Sequence, residues 1–523
     1  RIKSILAKYD GNAADCKLLP PESRQQKDLM LVLSRLADSL TSSYKNSAPN
    51  EICAYIYELA GAANKFYHDV KIISEPDEAK KASYVALMDL TRRVLETCID
   101  LLGFSAPVYP EMAQYPDEAA YWKKDGSFDD DGFSKVYDAW WADKRARNNL
   151  QLPDPDGMQR FLRASTGTML AQGGGQNLVY SPLNVYMALS MLCECTDGNS
   201  RAQILTLLGQ SDLASVRAQA SALWNANYCA DGAVTSVLAS SLWLRDGTNY
   251  VQSTLDTLAK TYYASTFSGE MGSDDYNKVL QSWLNEQTGG LLQEQASGVS
   301  FDPDTILAQA TTIYYRAKWS EEFSKSQTSE GTFHAAAGDL TCDFMHRSDS
   351  DTYYWGEQFG AIELPLRESG CMKLLLPDEG VSPEDLLQDE EAMNFLLGSG
   401  DWENSKFLIV NLALPKFDVS SDLDLNESLQ ALGVTDVFSP AAADFSPAIQ
   451  DADGVYLSRA DHAARVTVDE EGVTAAAYTV MMEAGAAEPP DEEIDFTLDR
   501  PFVFAITARS GLPLFVGIVN TPE

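Results

Sequence analysis

Apolar positions in the first hundred residues recur at spacings of three and four. Leu29, Leu33, Leu36 and Leu40 form one set. Ile52, Tyr55, Ile56, Leu59, Ala63, Phe66 and Tyr67 form a second, and Leu87, Leu90, Val94, Leu95, Cys98, Leu101 and Leu102 a third. Each set lays one apolar stripe along a helix, so the spacing predicts a helical bundle over about residues 1–112. The breaks fall at Ser47-Ala48-Pro49-Asn50, where Asn50 can cap the next helix, around Pro76, and at Gly103 followed by Pro107.

Beyond residue 112 the pattern changes. Residues 113–154 open on a polar run, Lys123 to Gly132, followed by Tyr137, Trp140, Trp141 and Arg145 at helical spacing. This predicts an acidic linker with a short helix, its paired tryptophans anchoring it on the domain C-terminal to it. From Asp154 a capped amphipathic helix (Met158 to Ala171) and a Gly173-Gly174-Gly175 turn lead into helical stretches interspersed with β-type runs such as Phe407 to Leu414 and Pro501 to Ile506. Helices first and strands later predict an α+β fold over residues 155–523.

A chain of 523 residues exceeds one ordinary domain of about 100–200. With 45% hydrophobic residues it can fill real cores, which excludes a disordered chain. No stretch approaches the roughly 18 apolar residues needed to cross a bilayer, so no membrane partner is expected. The charge is uneven. Residues 1–112 hold 14 Lys and Arg against 15 Asp and Glu, and the remainder holds 25 against 62. Phosphates are repelled by the acidic part, so any nucleic-acid role belongs to the first segment.

The opening Arg1 to Leu6 lacks an apolar core with a small-residue cleavage site, so no signal peptide is expected and the chain is expected to continue upstream. Eight cysteines without a CxxC pair suggest reduced thiols. Cys193-Glu194-Cys195 could clip a metal, but the histidines (68, 334, 346, 462) are all distant in sequence and core thiols fit better. Asp125, Ser127 and Asp129 match the first ligands of a calcium loop, which then fails at Asp130 and Val136. No metal or cofactor is expected.

Glu51 to Ala60, Asn64-Lys65-Phe66-Tyr67-His68 and the closing Leu101 to Met112 resemble the C-terminal DALR-type anticodon-binding domain of arginyl-tRNA synthetases. The resemblance implies tRNA as a partner for residues 1–112, with Tyr55, Tyr57, Asn64, Lys65, Tyr67 and His68 as the contact helix. Neither ATP-cradling signature of that class is present, so aminoacylation would belong to an upstream part of an arginine-tRNA ligase, in which the rest of this chain would be the passenger.

Across residues 155–523, Asn177 to Val185, Thr312 to Trp319, Leu457 to His462 and Phe496 to Phe502 resemble the serpin family of serine protease inhibitors. The resemblance implies a metastable monomer whose reactive loop baits a protease, is cleaved, and inserts as a strand into the main sheet; a non-inhibitory protein of the same fold is the alternative. Implied structural residues of the sheet-opening region are Ser181, Asn184, Thr311, Trp319 and His462. The reactive loop spans about residues 470–495, and its hinge is Glu471, Gly472, Val473, Thr474, Ala475, Ala476 and Ala477. Val473, Ala475, Ala477, Thr479 and Met481 alternate along one face, small to medium and mostly apolar, as an inserting strand requires. Fifteen residues from the hinge glycine lies the scissile bond Ala486-Ala487, with Gly485 and Glu488 the neighbouring registers. A small P1 residue implies an elastase-like or subtilisin-like protease, since no Lys or Arg lies between Gly472 and Phe496.

Three positions depart from the family: Val473 for Thr or Ser, Thr311 for Asn, and Asn184 for a second Ser. Thr311 is expected to alter the hydrogen bonding of His462, and Glu483 continues the inward parity into a carboxylate. A tRNA-binding module belongs to the cytoplasm while many serpins act outside the cell, so the two halves point to different compartments.

Overall fold

A computed structural model describes residues 2, 6, 9, 16–46, 48, 50–70, 72, 75–101, 112–116, 118–123, 126–148, 151–398, 402–450, 454–473, 490, 492–508 and 510–522. The chain divides into two compact units, Arg1–Glu111 and Met112–Glu523.

The first unit is built on helices Arg24–Ser34, Leu36–Asn46, Asn50–Asp69 and Glu78–Leu101. The Ser23 hydroxyl caps the first of these by accepting from Gln26 N at 3.1 Å, and Asp77 caps the last by accepting from Ala79 N at 2.9 Å. The leucine stripe from Leu29 to Leu40 does not run through one helix. The chain turns at Arg35, so Leu29 and Leu33 are buried while Leu36 and Leu40 pack partly buried against the same core. Leu59, Phe66, Val85, Leu87, Met88 and Cys98 complete that core.

In the second unit two sheets and a set of helices share a large apolar core. The nine-stranded sheet runs Leu178–Tyr180, Pro513–Val519, Phe502–Thr507, Cys371–Pro377, Phe359–Pro365, Gly338–Trp355, Ser405–Pro415 and Glu493–Thr497, with Ser329–Ala335 paired to Gly338–Trp355. The strands of the seven-stranded sheet are β1 (Cys229–Ala230), β2 (Thr235–Arg245), β3 (Ala264–Gly269), β4 (Leu307–Lys318), β5 (Phe417–Asp424), β6 (Asp461–Val468) and β7 (Gly472–Val473). The order is β5-β6-β7-β4-β2-β1, with β3 parallel to β2.

Residues expected to form a linker are part of this unit. Helix Asp130–Asn148 buries Trp140 completely, and its indole Nε1 donates to the Asp231 carboxylate at 2.9 Å. Tyr115 N donates to the Asp231 carbonyl at 2.7 Å. The next helix spans Pro155–Leu170 because Asp154 caps it, accepting from Gly157 N at 2.9 Å with Pro155 in the first turn.

Candidate functional site

Strand β6 alternates strictly: His462, Ala464, Val466 and Val468 are buried and the residues between them are not. This is the period-two signature of a sheet with one face on the core. On β4 the odd positions face the same core, with Tyr315 and Ala317 buried, while Ala308 and Ala310 pack on the opposite cluster around Trp243 and Trp283.

Between β6 and β4 sits the two-residue strand β7. Val473 pairs with Val468 on one side and Ala317 on the other, and Gly472 pairs with Lys318. Both pairings are antiparallel, so β4 and β6 run parallel to each other. Among the described residues no ladder joins β4 to β6 directly; β7 is their link. The backbone edges Leu307–Arg316 and Asp461–Thr467 therefore face a slot whose upper end is already occupied by the start of the hinge.

Glycine is required at position 472. Its φ is +154°, and a Cβ there would lie 2.4 Å from the Ala317 carbonyl oxygen and 2.7 Å from Lys318 Cα. Backbone atoms cannot yield, so only a residue without a side chain lets β7 approach β4 this closely. A turn delivers it there: the Asp469 carboxylate accepts from Glu471 N at 2.9 Å and Gly472 N at 3.2 Å.

Trp319 is buried at the top of β4, its Nε1 donating to the Asp469 carbonyl at 2.8 Å and its N to the Glu471 carbonyl at 3.2 Å. Glu471 pairs with Lys325 at 2.8 Å, and that hydrogen bond holds its carboxyl below the usual range. Glu470 is buried. Burial alone would raise its pKa, yet the net direction is downward: a backbone N–H donates to the carboxylate, Thr328 Oγ1 donates at 2.9 Å and Lys416 Nζ stands at 3.4 Å. Sequence reasoning includes Glu470 only as the start of the loop and does not find Asp469, Thr328 and Lys416 as site residues. The signal for Asp469 is present in the Asp469-Glu470-Glu471-Gly472 turn pattern; Thr328 and Lys416 come from distant segments.

At the lower end, His462 is wholly buried and its Nε2 accepts from Ser181 N at 3.0 Å. Desolvation pushes its pKa down to about 4. The Ser181 hydroxyl donates to the Leu514 carbonyl at 2.6 Å, and Asn184 Nδ2 donates to the Thr311 carbonyl at 3.2 Å. The structure thus brings Ser181, Asn184, Thr311 and His462 together under the slot, with Trp319 at its mouth. Thr311 contributes its backbone carbonyl to Asn184, while His462 takes its hydrogen bond from Ser181.

Of the hinge, Glu471, Gly472 and Val473 form the seated start. Thr474, Ala475, Ala476, Ala477, the further loop positions Thr479, Met481 and Glu483, and the candidate scissile positions Gly485, Ala486, Ala487 and Glu488 lie outside the described residues. Of the tRNA-contact candidates, Tyr57 is 76% exposed, and Asn64, Lys65 and Tyr67 are exposed as well. Tyr55 is corrected to a core residue: it is 4% exposed and its hydroxyl donates to the Val32 carbonyl, because its position on the apolar stripe turns it inward. The side chain of His68 lies outside the described residues.

Cys193 and Cys195 are buried free thiols, pushed up to about 12 by desolvation, and the Glu194 between them is held by Arg217 at 2.7 Å and Tyr262 at 2.9 Å. Among the described residues no group of His, Cys, Asp and Glu could hold a metal ion, and no helix is long and apolar enough to cross a membrane.

A family model described as serpin (serine protease inhibitor) matches residues 159–522, and one described as DALR anticodon binding domain matches residues 1–109. The human protein named leukocyte elastase inhibitor is 30% identical over 357 residues, covering 66% of this chain and 93% of its own. Arginine–tRNA ligase of Agathobacter rectalis is 52% identical over 112 residues, covering 20% of this chain, and this chain spans only 19% of that protein. Among solved structures, the thermophilic serpin tengpin in its native state superposes with a TM-score of 0.62 at 24% identity, covering 70% of this chain and 93% of its own. The same protein in its latent state gives 0.60 at 22% identity, covering 71% and 100%.

Proposed function

This chain belongs to the serpin family, and on that premise we propose that it inhibits serine endopeptidases as a suicide substrate. The observation that carries the reading is the hinge strand Gly472–Val473 seated between two strands that do not pair with each other.

Extending the register of β7 sets Ala475 opposite Val466 and Tyr315, Ala477 opposite Ala464 and Ile313, and Thr479 opposite His462 and Thr311. The inward side chains are those an antiparallel strand presents at every second position, and they are small where the opposing core is crowded. Both neighbours then supply backbone donors and acceptors, so the inserted strand gains a ladder on each side, its residues bonding to β4 and β6 in turn, where the slot had open edges.

In the reaction proposed, the serine hydroxyl of the protease attacks the carbonyl carbon of Ala486. The peptide bond to Ala487 breaks, the new amine leaves with its proton, and Ala486 remains as an ester on the enzyme. Residues from 474 onward then insert. Thirteen residues at about 3.3 Å each would place the acylated Ala486 roughly 40 Å from the hinge along the sheet, and the enzyme dragged there is distorted before water can hydrolyse the ester. The inhibitor contributes strain and no catalytic group. A P1 alanine suits shallow first pockets, and the resemblance to proteins named leukocyte elastase inhibitor supports an elastase-like target.

The test is incubation with elastase-like and subtilisin-like proteases followed by denaturing electrophoresis. A complex that survives denaturation and carries the chain cut at 486–487 is expected; simple cleavage there without a complex would favour the non-inhibitory reading.

For residues 1–109 we propose tRNA anticodon binding as a module of a longer arginine-tRNA ligase. The supporting observation is the 52% identity with the bacterial ligase over 112 residues. Binding of arginine tRNA by the full chain, measured by filter retention across a salt series, tests it; no retention at low salt would refute it.

A further inference from the structure

Helix Asp130–Asn148 lies against the turn at Glu368, which in turn touches the end of β4. Lys144 on this helix is 4% exposed, and its Nζ donates to the Glu368 carbonyl and stands 3.1 Å from the Glu368 carboxylate. It also lies 4.6 Å over the Trp140 ring, whose indole is tied to Asp231 beside β1. A lysine is rarely buried without a partner, and here both acceptors come from one residue.

That residue is strained. Glu368 has φ +57°, one of two non-glycine residues with positive φ among the described residues. It sits in the turn joining strands Phe359–Pro365 and Cys371–Pro377, and the turn is stitched onto the end of β4. Arg367 N donates to the Lys318 carbonyl at 2.7 Å, Ser320 N to the Pro365 carbonyl at 2.9 Å, and Trp319 bridges Leu366. The Ser369 hydroxyl also meets the Tyr315 hydroxyl at 2.7 Å. Lys318 is the residue opposite Gly472, and Tyr315 is the core residue opposite which Ala475 would arrive. A continuous set of contacts runs from Lys144 through a strained turn to one wall of the slot.

We infer that Lys144 is a positioning residue for loop insertion: it holds the Glu368 turn in its left-handed conformation, and the turn fixes the end of β4 beside the already seated β7, which restrains the rest of β4, from Tyr315 down, from parting further from β6. The inference rests on the insertion mechanism proposed above. Admitting a strand requires β4 and β6 to stand two inter-strand spacings apart, about 10 Å, over the length of the slot. With Lys144 gone, the Glu368 carbonyl loses its buried donor and the positive φ loses its support, so the β4 end becomes free to shift.

The experiment uses the full chain and a synthetic peptide with the sequence of residues 473–486. Uptake is followed as the growth of a species of raised melting temperature, and hydrogen exchange is measured at Ser320 and Arg367. In Lys144→Met, uptake is expected to be faster by about tenfold and both amides to exchange faster. The double variant Lys144→Met with Glu368→Gly, in which glycine holds the turn unaided, is expected to return both readings towards the parent chain. A helix that only adds stability would give no rescue by glycine. Unchanged exchange in Lys144→Met, or a double variant as fast as the single, overturns the inference. Changed exchange with no peptide uptake by any chain, parent included, sustains the hold of Lys144 on the turn and refutes the insertion mechanism instead.

Discussion

His462 is held in its neutral form because it lies buried with Ser181 N–H donating to its ring nitrogen. Its folded-state pKa of about 4 lies below the unfolded value near 6.5, so the unfolded chain takes up a proton that the folded chain refuses. Stability from this residue is therefore present above about pH 6.5 and is lost as the pH falls towards 4, by roughly 3 kcal/mol in total. Denaturant unfolding at pH 7 and pH 5 should show a drop that shrinks in His462→Gln; an equal drop in both chains would refute the assignment. Gly472 acts through its missing side chain. Gly472→Ala places a Cβ against the Ala317 carbonyl, at about 1–3 kcal/mol. This should displace β7 and shift reaction with protease from stable complex to simple cleavage, read as the number of inhibitor molecules consumed per protease inactivated.

At the scale of elements, the slot specifies what may enter it. In the proposed inserted strand, Ala477 would arrive opposite Ala464 and Ile313 if the register of β7 continues, and a charge there would be desolvated. Ala477→Arg should leave the rate of first cleavage unchanged and abolish the stable complex; a variant that still traps protease would contradict the register. Much of this element is legible in the sequence. Alternation of small residues after Gly472 marks the face proposed to insert, and the stretch ending at Trp319 marks the strand that the seated Gly472–Val473 pairs with. The contacts that close the mouth are not legible, because Thr328, Lys416 and Glu368 reach it from segments whose only common feature is their position in the fold. Helix Asp130–Asn148 reads as a linker helix anchored by its tryptophans, and Trp140 is indeed buried, but its polar composition hides the burial of Lys144. The tyrosine stripe misleads in the other direction: the family resemblance makes Tyr55 a surface contact, although its place among Ile52, Leu59 and Phe66 turns it into the core.

For the molecule as a whole, two units of different charge are joined in one chain. Residues 1–112 are nearly neutral, and the net charge of −38 falls almost entirely on the remainder. Each unit has its own apolar core, and the segment from Met112 onward belongs structurally to the second. Removing residues 1–111 should therefore leave the melting of the second unit and its reaction with protease unchanged within error, whereas cutting on to residue 150 should destabilise it by removing Trp140 from its pocket. Loss of inhibition on the first deletion would contradict the independence of the two units.

The most direct measurement is the melting temperature before and after a single cut in the loop at residues 486–487. Closing the open edges of β4 and β6 with the freed strand should raise it far above that of the intact chain. A nicked chain that melts at or below the temperature of the intact one would show that no strand enters the slot.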